Sequence, residues 1–92
     1  MKDIVDNLES LQGYLKKMII ETLNLEEITP EEIDNDAPLF RDGLGLDSID
    51  ALELVVAIEK IFKIIIEDED VGKRAFASIN ALARFVQEEY SE

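Results

Sequence analysis

Ser48 is the residue whose neighbours point most clearly to chemistry. It lies between Asp47 and Ile49, with Asp50 two residues further along. A serine hydroxyl in this setting can cap a helix, act as a nucleophile or accept a covalent modification. A nucleophile needs an activating base, but the chain contains no histidine, and no motif supplies a lysine for that role. We therefore predict that Ser48 is a helix-capping residue or a modification site, not a catalytic one.

Two short patterns begin like ligand-binding motifs but lack the residues that binding requires. Gly43 and Gly45 form a Gly-x-Gly unit without a third glycine, a Lys-Ser/Thr pair or a preceding strand, which argues against nucleotide binding. Asp34-x-Asp36 begins like an EF-hand loop, but Pro38 occupies the next ligand position and Leu39 replaces the required glycine. We therefore predict no metal site. With no cysteine, the chain also has no disulfide.

The segment after Asp47 is predicted to be a helix that begins near Ser48. Asp47 is a suitable N-cap, with Asp50 three residues later, and residues 49–62 contain no glycine or proline. One apolar stripe of this helix contains Leu54, Ile58 and Phe62, with Val55 and Ile61 beside them. A second stripe contains Ile49, Leu52 and Val56, and it alternates with Asp50, Glu53 and Glu59. A bundle helix needs one apolar stripe, so we interpret the second as an exposed docking strip rimmed by carboxylates.

Helical periodicity also predicts the elements on either side. A long amphipathic helix near the N-terminus has an apolar residue at every third or fourth position: Ile4, Leu8, Leu11, Leu15, Ile19 and Leu23. The connection that follows, residues 24–46, is long, and Thr29–Glu32 within it indicates a turn that starts a short helix with Pro30 at its first position. After residue 62, Lys63–Ile66 is predicted to be a buried connection, because no other segment offers it a strand partner.

The C-terminal part is predicted to contain a short acidic helix over Glu67–Arg74 and a last helix capped by Ser78. The last helix carries one apolar stripe: Ile79, Leu82, Val86 and Tyr90. The sequence thus predicts an all-α fold, a small four-helix bundle with a long loop between helices 1 and 2 and a short third helix. Its 92 residues, 47% hydrophobic, are expected to form one domain spanning 1–92.

Charge restricts the partners that this domain can have. Nine Lys and Arg stand against 22 Asp and Glu, which gives a net charge of −13, and residues 21–70 hold 16 acids against three bases. Such a charge repels nucleic acid and anionic membrane surfaces and opposes self-association, so we expect basic protein partners and a monomer. The chain has no apolar run of membrane-spanning length and no signal-peptide pattern, which predicts a cytoplasmic protein without membrane insertion.

The run Gly45-Leu46-Asp47-Ser48-Ile49-Asp50, continued by Glu53-Leu54-Val55 and Glu59–Phe62, resembles the acyl carrier proteins, the phosphopantetheine-binding carrier family. The long acidic loop before this run and the total length extend the resemblance over most of the chain. It implies that a phosphopantetheinyl transferase attaches 4′-phosphopantetheine from coenzyme A to Ser48. The chain would then be a non-catalytic carrier that holds acyl groups as thioesters for fatty-acid or polyketide-type enzymes.

The resemblance also implies two sets of contact residues. Partner enzymes, namely the transferase, ketoacyl synthases, reductases and acyltransferases, would contact the carrier through basic patches. The matching positions on the carrier are Asp47, Ile49, Asp50, Leu52, Glu53, Val56 and Glu59. The acyl chain would enter the interior between the helices, where the candidate lining residues are Phe40, Leu54, Ile58, Phe62, Ile66 and Leu82.

Three positions depart from the family's usual pattern. Gly43 stands where housekeeping fatty-acid carriers often have an acid, Lys60 interrupts an acidic cluster, and Val71–Phe76 is slightly longer. These differences argue against the housekeeping carrier, and the run Gly-Leu-Gly-Leu-Asp-Ser-Ile-Asp at residues 43–50 resembles carriers of specialised type II fatty-acid or polyketide-like pathways. Two other readings of the sequence remain open: a carrier for an amino acid, of the D-alanyl or peptide-synthetase type, and an acidic helical adaptor that is never modified. Modification at Ser48 separates a carrier from an adaptor.

Overall fold

The computed structural model describes residues 2–39 and 48–90, except for the side chains of Ser48 and Glu69. Five α-helices lie within these ranges: α1 at Lys2–Val5, α2 at Leu8–Leu23, α3 at Ser48–Phe62, α4 at Glu69–Ala75 and α5 at Ile79–Glu89. A 3₁₀ turn at Pro30–Glu32 lies in the long α2–α3 connection. The predicted all-α bundle with a long first loop and a short third helix is confirmed, with the first helix divided in two.

The division of the first helix corrects the prediction of one continuous helix. Asn7 has an extended backbone, and its Oδ1 accepts a hydrogen bond from the Ser10 N–H at 3.0 Å, so that Asn7 caps a new helix start. The break alters the predicted stripe, because Leu8 becomes the first residue of α2 and is 48% exposed. Leu11, Leu15 and Ile19 are fully buried, as predicted.

The α2–α3 connection begins with a left-handed residue, Asn24, whose φ is 54°. Asparagine tolerates this conformation better than most residues, and the backbone reversal lets the Leu25 N–H donate to the Ile20 carbonyl at 2.9 Å. Pro30 occupies the first position of the 3₁₀ turn, as predicted. Ile33 and Leu39 then return the chain to the core, where both are buried.

The segment after α3 is less buried than predicted. Lys63 ends the helix with a φ of 55°, and residues 63–67 form neither helix nor strand. Ile64 is buried and Ile66 is partly buried, but Ile65 is 75% exposed. Side chains of an extended segment point alternately to opposite sides, so a run of three isoleucines cannot all face the core. The prediction of a buried connection was therefore wrong for Ile65.

Capping side chains fix the starts of the last two helices. Asp68 Oδ1 accepts from the Val71 N–H at 2.8 Å, so α4 begins two residues later than predicted and ends at Ala75. Ser78 Oγ accepts from the Ala81 N–H at 3.1 Å, which confirms the predicted cap of α5. The predicted stripe of α5 is confirmed as well: Ile79, Leu82 and Val86 are fully buried, and Tyr90 is partly buried.

All five helices contribute to one hydrophobic core. Helix α2 packs against α1, α3 and α5, whereas α4 packs against α5. Three aromatic rings pack together in this core: Phe62, the last residue of α3, makes edge-to-face contacts with Tyr14 of α2 at 5.9 Å and with Tyr90 at 6.4 Å between ring centroids. Among the helices in the described ranges, none combines the length and apolar character that crossing a bilayer requires.

Candidate functional site

Ser48 is the first residue of α3, as the sequence predicted. The first backbone N–H groups of a helix have no partner within the helix, and together with the helix dipole they favour a negatively charged group. An anion attached at Ser48 would therefore lie at an electrostatically favourable end of the helix. The residues just before it lie outside the described ranges, including the predicted cap Asp47, the two glycines Gly43 and Gly45, and the pocket candidate Phe40.

The second apolar stripe of α3 faces solvent, as predicted. Ile49 is 69% exposed, Leu52 63% and Val56 45%, and these are three of the five large hydrophobic residues that are exposed in the described ranges. Glu53 is exposed between them, and Asp50 is half-buried in the first turn of α3. We call the set Ile49, Leu52 and Val56 the exposed strip. Apolar side chains rimmed by carboxylates are typical of a surface that binds a protein partner.

Glu59, the last carboxylate predicted to rim this surface, also has an internal role. Its Oε2 accepts a hydrogen bond from the backbone N–H of Ile66 at 2.9 Å, and its side chain is half-buried. The contact holds the 63–67 connection against the C-terminal half of α3. Ile66 in turn lies close to α4, where a Cβ added to Gly72 would be 3.7 Å from Ile66 Cγ2. This contact could not be predicted from the sequence, because a carboxylate can reach many backbone N–H groups.

The structure brings the described acyl-pocket candidates together in the core. Leu54, Ile58, Phe62 and Leu82 are all at most 1% exposed, and Ile66 is partly buried against the same cluster. They come from α3, the 63–67 connection and α5. This arrangement places the candidates behind the exposed strip, on the side of α3 that faces the rest of the bundle.

Hydrogen bonds around Asn80 attach the α2–α3 connection to α5. The backbone N–H of Asn80 donates to the Asn35 carbonyl at 2.9 Å, and its Nδ2 donates to Asp36 Oδ1. Its Oδ1 accepts from Gln12 Nε2, which adds α2 to the same cluster. Because Asn80 lies in the first turn of α5, its backbone N–H would otherwise lack a helical partner. These hydrogen bonds between the loop and α5 were not predicted from the sequence, because the partners of Asn80 are 44 to 68 residues away from it in the chain.

The Asp34-x-Asp36 pair has a structural role in this cluster. Asp34 Oδ1 accepts from the Asp36 N–H at 2.8 Å, a local turn that the side chain of aspartate commonly stabilises. The Asp36 carboxylate then receives the Asn80 amide. Asp34 thus shapes the loop, and Asp36 binds it to α5, so both carboxylates have a structural role.

Comparisons with known proteins agree with this architecture. Residues 13–86 match the family model described as the phosphopantetheine attachment site. The acyl carrier protein of Buchnera aphidicola subsp. Acyrthosiphon pisum (strain Tuc7) is 41% identical to the chain over 66 residues, which cover 72% of this chain and 78% of that protein. The acyl carrier protein of Wolinella succinogenes is 36% identical over 73 residues, covering 79% and 88% respectively.

The matched family is defined by phosphopantetheine attachment, and 4′-phosphopantetheine, covalently bound, is accordingly the cofactor of this chain. The match includes α3, α4 and most of α2 and α5, so it covers the elements that surround the start of α3. The chain belongs to the acyl carrier protein family.

Proposed function

We propose that this chain carries acyl groups on 4′-phosphopantetheine attached to Ser48 and delivers them to fatty-acid or polyketide-type biosynthetic enzymes. The observation that carries the proposal is the position of Ser48 as the first residue of α3, inside the matched attachment domain and next to the exposed strip. When bound, the arm supplies a terminal thiol that can hold an acyl group as a thioester.

The other serine in the matched range is a poorer attachment site. Residues 13–86 contain two serines, Ser48 and Ser78. The Ser78 hydroxyl caps α5 by accepting from the Ala81 N–H, and modification there would remove a cap worth about 1 kcal/mol. Ser48 begins a helix of 15 residues whose N-terminal dipole favours the phosphodiester. The local chemistry therefore favours Ser48.

The partner surface that we propose consists of the exposed strip and the carboxylates near it: Asp47, Asp50, Glu53 and Glu59. Basic patches on the transferase, ketoacyl synthases, reductases and acyltransferases would contact it. Exposed charges at the rim of an interface mainly raise the association rate, and their effect falls with salt. This suits a carrier that must leave each enzyme after one step. Because Glu59 is already hydrogen-bonded to Ile66, we expect it to contribute less than Glu53 to partner binding.

The acyl chain is proposed to enter between the helices, against Leu54, Ile58, Phe62, Ile66 and Leu82, with Phe40, outside the described residues, as a further lining residue. The common location of the first five residues in the core supports this route. The proposal also includes a monomeric, single-domain protein located in the cytoplasm, and its net charge of −13 supports the monomer because like charge opposes self-association. The departures at Gly43 and Lys60 favour a specialised type II pathway.

The test is the intact mass of the protein before and after incubation with coenzyme A, Mg²⁺ and a broad-specificity phosphopantetheinyl transferase. We expect the mass to rise by one phosphopantetheine group in the wild type and in Ser10→Ala, a matched control outside the attachment domain. Ser48→Ala should show no gain. A folded wild type that gains no mass with two different transferases would favour the unmodified adaptor, and a gain retained in Ser48→Ala would place the attachment elsewhere.

A further inference from the structure

The outer face of α3 changes the sign of its charge along the helix. Asp50 and Glu53 accompany the exposed strip in the first half, where the sequence has no base. Lys60 lies four residues after Val56 and so continues the same face, and Lys63 directly follows the helix. Both lysine side chains are exposed. This face is therefore acidic near its start and basic near its end.

The acid that precedes Lys60 in the sequence does not neutralise these lysines. The carboxylate of Glu59 is half-buried and is held toward the 63–67 connection, because its Oε2 accepts from the Ile66 N–H at 2.9 Å. In the part of the chain that the structure describes, neither Lys60 nor Lys63 forms an ion pair. Their charges are therefore available to a second molecule.

Ile65 adds an apolar side chain next to the lysines. It is 75% exposed, more than any other large hydrophobic residue in the described ranges. The hydrogen bond from the next residue, Ile66, to Glu59 holds this part of the connection beside the end of α3. With Ile65, four of the five exposed large hydrophobic residues lie on α3 or directly after it, and such clustering indicates a contact surface. We call Lys60, Lys63 and Ile65 the basic end.

The acidic half and the basic end are far enough apart to contact a partner separately. Glu53 and Lys60 differ by seven positions, which is about 10 Å along the axis of α3. This separation is close to the Debye length at physiological ionic strength. A partner charge placed against one end therefore interacts mainly with that end, although the net charge of the whole chain is −13.

We propose that Lys60 and Lys63 select the enzyme that receives the acyl group, because they pair with carboxylates that lie beside the basic patch of that enzyme. The enzyme presents basic groups to Asp50 and Glu53, carboxylates to the two lysines and an apolar contact to Ile65. Complementary charge of both signs fixes the orientation of docking, and a uniformly basic partner is repelled at the basic end. This inference rests on the proposed carrier function and specifies its partner.

The test is the KM of a type II ketoacyl synthase for the acyl-loaded carrier. Glu53→Lys makes the carrier less acidic and Lys60→Glu/Lys63→Glu makes it more acidic, yet we expect both variants to raise the KM about fivefold or more, with kcat unchanged. The increase should shrink as salt is added. Lys16→Glu/Lys17→Glu on α2 changes the net charge as much as the second variant does, and it should alter the KM by less than about twofold.

The outcomes separate this inference from the proposed function. A KM raised by Glu53→Lys but lowered or unchanged by Lys60→Glu/Lys63→Glu would indicate a uniformly basic partner, which overturns the inference and leaves the partner surface intact. If neither variant changed the KM, or if the synthase did not accept the wild-type carrier, the proposed function would fail and the inference with it.

A purely structural role of the lysines gives a different result. Cations near the end of a helix interact favourably with its dipole, so their loss lowers the stability of the helix. Urea denaturation measures that effect separately. If Lys60→Glu/Lys63→Glu lowered the free energy of unfolding and left the KM of the folded carrier unchanged, the lysines would stabilise α3 and would not select the partner.

Discussion

The two apolar stripes of α3 have the same kinds of residues and opposite environments. Leu54, Ile58 and Phe62 have almost no accessible surface, whereas the exposed strip of Ile49, Leu52 and Val56 faces solvent. At about 100° per residue the two stripes are centred roughly 150° apart around the helix. Helix α2 covers the first stripe. No described element of the chain covers the second, so a partner must do so if that surface is to be buried.

The difference shows that residue type alone does not decide which side of a helix becomes core. The exposed strip is interrupted by Asp50 and Glu53, whose charges are costly to bury without a partner. The buried stripe has Val55 and Ile61 beside it, which extend its apolar width. A helix face on which charged residues alternate with apolar ones thus stays exposed and suits transient contacts. A wide apolar face without charged residues becomes part of the core.

The largest expected effect comes from truncating the buried stripe. Leu54→Ala should lower the free energy of unfolding by about 3 kcal/mol, because it removes buried methyl groups and leaves a cavity. Leu52→Ala, the same substitution on the exposed strip, should change it by less than about 0.5 kcal/mol. Urea denaturation followed by circular dichroism measures both. Similar losses in the two variants would show that the two stripes are not energetically distinct.

The backbone conformation of Lys63, which follows the last residue of α3, can be tested by substitution. Lys63 adopts a positive φ, a conformation that costs a residue with a Cβ roughly 1–2 kcal/mol and glycine little. Lys63→Gly should therefore raise the free energy of unfolding by about 1 kcal/mol. Lys60→Gly, within α3 and three residues earlier, should lower it by about 1 kcal/mol as a control. A destabilised Lys63→Gly variant would contradict this account.

Much of this arrangement could be predicted from the sequence because its causes are local. The stripe of α5 and its Ser78 cap follow from spacing and from one hydroxyl at the right position. The break before Leu8 could not be predicted so simply, because Ile4 and Leu8 keep helical spacing across it. Asn7 was the one local signal, as asparagine is a favoured N-cap residue.

Contacts between distant residues account for most of what the sequence did not reveal. Ile65 is exposed because Lys63 turns the backbone before an extended segment, and nothing in a run of three isoleucines indicates which one points outward. The Asn80 hydrogen bonds join α5 to residues far away in the chain. For the candidate site, the start of α3 at Ser48 and the exposure of the strip were predictable because capping and periodicity are local.

Glu59 belongs both to the proposed partner surface and to an internal contact, because its carboxylate accepts a hydrogen bond from the Ile66 N–H. Glu59→Ala should lower the free energy of unfolding by about 1 kcal/mol, the usual contribution of one such hydrogen bond. Glu59→Gln retains an acceptor oxygen and should lose about half as much. Hydrogen exchange at the Ile66 amide should accelerate in Glu59→Ala. Unchanged exchange and stability in both variants would show that the contact is unimportant in solution.

The smallest expected change in stability, and the sharpest test of the comparison, comes from a pair of adjacent valines. Val56→Thr replaces a methyl group of the exposed strip with a hydroxyl and should change the free energy of unfolding by less than about 0.5 kcal/mol. Under the proposed function it should still raise the KM of a ketoacyl synthase for the carrier severalfold, because docking would desolvate the hydroxyl. Val55→Thr, on the half-buried side, should cost about 1 kcal/mol of stability and leave that KM unchanged. If both substitutions affected only stability, the exposed strip would not be the docking surface. If Val56→Thr affected only the KM, partner binding would be assigned to the exposed strip and folding to the buried stripe.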